Sequence, residues 1–149
     1  MRKPFFVTIA SVSEVPEGLA VRLQEGEPLL LRRHHECFGP IAEQFEIALA
    51  LSQRRPWPVW VVRSPEGGIE VARPATRSRI LGISEEPDGS CRVGFAFIPT
   101  VKLLRPDHPD FERLKETLLA AATTRHDVFY TEVAGNQGLL DDVALAPET

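Results

Sequence analysis

The sequence has 149 residues, 43% of them hydrophobic, with 17 basic and 21 acidic side chains and a formal net charge of −4. This composition belongs to a globular chain: it excludes disordered, collagen-like and low-complexity classes, and no apolar run approaches the ~18 residues of a membrane helix. Two cysteines, Cys37 and Cys91, are too few for a disulfide framework and lack C-x-x-C spacing, so the expected compartment is the reducing cytoplasm.

Met1-Arg2-Lys3 and the apolar run after it have the outline of a secretory signal, but Thr8 breaks the run and no small-residue cleavage pattern follows. Residues 5–13 instead alternate and are rich in β-branched types, which predicts a first strand. Pro16-Glu17-Gly18 supplies a turn, residues 19–23 a second strand, Glu25-Gly26-Glu27 another turn, and residues 28–32 a third strand. From Phe38 to Arg54 the period changes. Ile41, Phe45, Ala48 and Leu49 recur at three- and four-residue spacing, predicting an amphipathic helix stopped by Pro56 and Pro58. Strands over 58–63 and 69–73 form a hairpin around residues 64–68, and residues 74–78 read as a linker. Strands then follow at 79–86, 91–98 and 101–105. A helix is predicted over 109–124, with Pro109 at its first position and Asp110 and Glu112 in its first turn. Strands at 127–132 and 139–145 end the series.

This order is the same unit twice. Ile9 to Gly18 (I-A-S-V-S-E-V-P-E-G) matches Ile80 to Gly89 (I-L-G-I-S-E-E-P-D-G), and Leu30 to Phe38 (L-L-R-R-H-H-E-C-F) matches Leu103 to Phe111 (L-L-R-P-D-H-P-D-F). Val59-Trp60-Val61-Val62 matches Val128-Phe129-Tyr130-Thr131, and Gly68-Ile69 matches Gly138-Leu139. Four collinear blocks point to internal duplication. The expected modules are residues 1–75 and 76–149, packed together. The fold class is β-rich α+β, with a βββ-α-ββ unit in each copy. That element order resembles the OB-fold, a five-stranded Greek-key barrel, and the resemblance implies an OB-like barrel in each module.

His35 and His108 precede the predicted helices at matched positions, each with a Phe three residues later, Phe38 and Phe111. This repeated motif reads as structural: the imidazole satisfies backbone groups at the helix start and the Phe plugs the barrel. His34, His35 and Cys37 include metal-capable donors, but neither copy has the paired ligands of a zinc site, so no metal and no cofactor is expected. Glu132 with Asp141-Asp142 reads as solvated charge at a hairpin end. No nucleophile elbow or phosphate-cradling loop occurs, because the Gly pairs lead into strands rather than helices, so a non-enzymatic role is expected.

Residues 58–63 are apolar on both faces, which leaves Trp60, Val62 and the matching Phe129 as candidate interface residues. The leading expectation is a binding or assembly protein acting through protein–protein contacts or self-association. The alternative is single-stranded nucleic acid or oligosaccharide on the face of the second and third strands, with Arg22, Arg32, Phe95 and Phe97 as candidates. Charge weighs against nucleic acid: residues 1–75 carry nine basic and nine acidic groups, and residues 76–149 carry eight and twelve.

Overall fold

The computed structural model describes residues 4–54 and 57–147, so the helix stop assigned to Pro56 lies outside the described residues. The chain divides into two compact units, Met1–Ala75 and Thr76–Thr149. The first holds β1 (Phe5–Val15), β2 (Gly18–Leu23), β3 (Leu29–Arg32), α1 (Phe38–Leu51), β4 (Pro58–Arg63) and β5 (Ile69–Pro74). The second holds β6 (Thr76–Glu85), β7 (Cys91–Phe95), β8 (Lys102–Leu104), α2 (Phe111–Thr124), β9 (Asp127–Val133) and β10 (Asn136–Leu145). No helix among the described residues is long and apolar enough to cross a membrane.

Strand alternation builds each core. In unit 1, Val7 and Ile9 on β1, Leu19, Val21 and Leu23 on β2, and Val59 and Val61 on β4 turn inward against Ile41, Phe45 and Ala48 of α1. Those helix positions fall four and three residues apart, so one stripe faces the sheet. Phe45 is fully buried, and burial of a side chain of that size contributes about 2–3 kcal/mol. In unit 2, Leu114, Leu118 and Ala121 form the matching stripe, and Phe95 stacks on Tyr130 with ring centroids 4.4 Å apart.

The paths of the two units run closely in step. β1 pairs β2 and β4, with Phe5 opposite Val61; β6 pairs β7 and β9, with Thr76 opposite Tyr130. A bulge interrupts β1–β2 between Ile9 and Ser11, and another interrupts β6–β7 between Ile80 and Gly82. The units differ in closure. Unit 2 is a closed barrel in the order β10-β8-β7-β6-β9, sealed by the parallel pair Leu139 and Leu103. Unit 1 is an open five-stranded sheet in the order β3-β2-β1-β4-β5, with no ladder between its edge strands β3 and β5. The expectation of a barrel in each module is therefore corrected for the first.

Several boundaries move for local reasons. β5 ends at Pro74 and β6 begins at Thr76, which reduces the expected linker to Ala75. α1 stops at Leu51 because Gln53 and Arg54 turn back to Ala50 and Leu51 carbonyls at three-residue spacing, a tighter winding than the α-helix. β7 stops at Phe95 because Phe97 takes a left-handed φ of 63°. Pro109 lies before the helix, since Asp110 is the N-cap of α2. The matched glycines also part company. Gly18 lies on β2 opposite Arg32, where a Cβ would stand 2.0 Å from Leu31 O; Gly89 takes φ +91° in a longer turn closed by Glu86 N–H to Ser90 O. By register, Gly18 is in step with Ser90, because the second turn is one residue longer.

Candidate functional site

The two matched histidines serve as latches. His35 Nδ1 accepts the Cys37 N–H at 2.9 Å, and its Nε2–H donates to Glu70 O on β5 at 2.8 Å. His108 repeats this with Asp110 N–H at 2.9 Å and Asp141 O on β10 at 2.7 Å. One nitrogen accepts and the other donates, which fixes the neutral tautomer. The ring thus satisfies the backbone N–H of each N-cap residue, Cys37 and Asp110, whose own side chains make no capping bond. Phe38 and Phe111 pack, partly buried, against the two cores. Both ring nitrogens of His35 are engaged, and no group of three metal-capable side chains gathers among the described residues.

The hairpin carboxylates are not simply solvated. Glu132 Oε1 lies 2.6 Å from Lys102 Nζ, which also donates to Gln137 O at 2.9 Å. Asp142 is buried, with its Oδ1 accepting the Val143 N–H and lying 3.6 Å from Arg113. Lys102 was invisible in the sequence, where Val101-Lys102-Leu103 looks like an ordinary alternating strand. In unit 1 the register puts core Leu29 in its place.

Trp60 and Phe129 turn away from the cores, as alternation requires, yet both are buried. Each carries a cross-strand arginine on its ring: Arg73 at 4.0 Å over Trp60 and Arg77 at 5.9 Å over Phe129. Val62 is half-buried on the same strand as Trp60. Arg22 is exposed on β2 and Arg32 is half-buried on β3, on one face of the sheet. Phe95 is a core residue only 2% exposed, so it is removed from the ligand face; Phe97 projects fully into solvent.

Between the β5 edge and the start of α1, with Arg32 at the end of β3, unit 1 has a groove of about 670 Å³, within the size range of ligand-binding clefts. The end of the β4–β5 hairpin closes on β3 at Gly68, where a Cβ would stand 3.0 Å from Leu30 O. The groove is floored by Ile41, Ile69 and Ala72, with Pro40 and Val71 beside them. Its polar lining carries Glu36, Glu66 and Glu70 against the single guanidinium of Arg32. Gln44 also lines it, and its Oε1 is shielded from solvent and accepts no hydrogen bond among the described residues. Cys37 is exposed at its rim.

Unit 2 offers less. A hollow at the start of α2 is about 350 Å³. A smaller one of about 200 Å³ lies beside Cys91 and Lys115. Burial pushes the Cys91 thiol up from its ordinary value, the wrong direction for a nucleophile. The hydrogen bond to Glu85 holds the Lys115 ammonium more firmly charged. No family model, curated protein or solved structure matches the chain.

Proposed function

We propose that the chain is a non-enzymatic binding protein, built by internal duplication of one OB-like βββ-α-ββ unit. It acts through protein–protein contacts by receiving an extended segment of a partner protein in the groove of its first unit. One observation carries the reading: β5 is a sheet edge, and the groove between it and the start of α1 has an apolar floor. An unpaired edge beside apolar pockets is the template on which extended peptides add as strands. The duplicated origin is supported by the shared bulges, the two histidine latches and the helix stripes in step. The OB-like assignment is supported by the closed order of unit 2, with a parallel third-to-fifth strand pair and a helix after the third strand.

Panning of a random-peptide phage library on the full chain tests this. Enriched peptides are expected to bind the native chain and to lose about tenfold in affinity to Val71→Lys, which puts a charge on the exposed edge. Anisotropy of a labelled single-stranded oligonucleotide at low salt, with light scattering for mass, runs alongside. Salt-sensitive oligonucleotide binding without peptide enrichment would overturn the reading in favour of the face bearing Arg22 and Arg32. A stable dimer that buries Val71 would replace the partner segment with a second copy.

A further inference from the structure

We infer that the outer face of α1 pairs with the same face of a second copy of the chain, the two helices running antiparallel about a twofold axis between Ile47 and Ala50.

The core takes one stripe of α1, through Ile41, Phe45 and Ala48. A second stripe runs along the other side of the helix and into the turn that ends it. Glu43, Ile47, Ala50 and Arg54 recur at steps of four, three and four residues, the spacing of a coiled-coil seam. All four are exposed, Ile47 by 52%, and so is Leu51 beside them, by 40%. The fold does not require apolar side chains there. With Phe38 and Phe111 in step as the first helical residues, α2 presents Glu116, Ala120, Thr123 and Thr124 where α1 presents Glu43, Ile47, Ala50 and Leu51. The hydroxyls of Thr123 and Thr124 turn back to Leu119 O and Ala120 O of their own helix. The apolar outer face therefore belongs to α1 alone of the two helices, and none of its residues lines the groove.

The order of charge along the stripe identifies what covers it: acidic at one end, apolar in the middle, basic at the other. In a twofold pair every contact is made twice, once by each copy. Antiparallel helices centred between Ile47 and Ala50 set Ile47 against Ala50 and Glu43 against Arg54, so the stripe is its own complement. Ala50 is small enough to admit the isoleucine of the second copy, and Leu51 covers the flank. Among the described residues, neither Glu43 nor Arg54 makes an ion pair within its own chain. A parallel pair would instead bring Glu43 onto Glu43 and Arg54 onto Arg54. The apolar centre supplies the attraction, and the exposed charges fix direction and register.

Light scattering of the full chain at rising concentration tests this, and is expected to reach twice the chain mass by the millimolar range. Ile47→Gln removes an apolar contact made twice and should weaken the dimer by about tenfold or more. Glu43→Arg and Arg54→Glu should each leave a monomer, since each sets like charges together at both ends. An equimolar mixture of those two variants should restore the dimer, because both ends then carry opposite charges. The three side chains are exposed, so all variants should keep the urea midpoint of the native chain. Peptides enriched on the native chain should bind Ile47→Gln unchanged, so the groove stands or falls separately. A monomer at every concentration, a dimer indifferent to Ile47→Gln or to both charge reversals, or one lost only to Val71→Lys overturns the inference.

Discussion

His35 and His108 each tie three parts of a unit together: the loop that carries them, the N–H of the helix N-cap residue and a carbonyl of the last strand. Replacing His108 with alanine removes two hydrogen bonds and leaves Asp141 O and the Asp110 N–H to find water. The expected loss in urea denaturation is about 2 kcal/mol, from two bonds of ordinary net worth; a loss under about 0.5 kcal/mol would contradict the latch. The motif was legible because histidine and phenylalanine recur at one spacing, and its structural reading needed only the orphan N–H groups of a helix start. The strand carbonyls it reaches were not legible, since a backbone acceptor has no residue signature. Phe95 failed for a related reason. On alternation alone it can face either way, and only its stacking on Tyr130 fixes it inside.

At the scale of elements, strand and helix order could be read from periodicity, but closure could not. Whether the third strand meets the fifth depends on side chains far apart in sequence. In unit 2, Lys102 bonds Glu132 and the Gln137 carbonyl beside the parallel pair of β8 and β10. In unit 1 a leucine stands in its place and the seam stays open. Lys102→Met should leave Glu132 without its nearest cation and cost about 3 kcal/mol. The amides of Leu103 and Leu139 should exchange faster than those of β6 and β7 in the same variant. Unchanged protection at Leu103 and Leu139 would mean that the pair does not hold the seam. The turn after the first strand of each unit carries a similar lesson. Pro16-Glu17-Gly18 and Pro87-Asp88-Gly89 look alike, but one added residue moves Gly89 off the strand and into the turn, where Asp88 Oδ1 accepts the Ser90 N–H. That bond, strongest among the influences on it, holds the Asp88 carboxyl below its ordinary value.

For the whole molecule, net charge does not locate the candidate site. Residues 1–75 are electrically neutral overall and residues 76–149 carry the surplus of four acidic groups, yet the groove with exposed acceptors lies in the neutral unit. Unit 2 offsets part of its acidity internally, as Glu132 faces a lysine and Asp142 an arginine. The most direct measurement of the account is amide chemical-shift mapping of the full chain titrated with a peptide enriched on it from the phage library. Perturbations confined to Ile69–Ala72, Cys37 and Gln44 are the predicted result. Perturbations on the face bearing Arg22 and Leu30, or around Asp110 and Arg113 in unit 2, would contradict it.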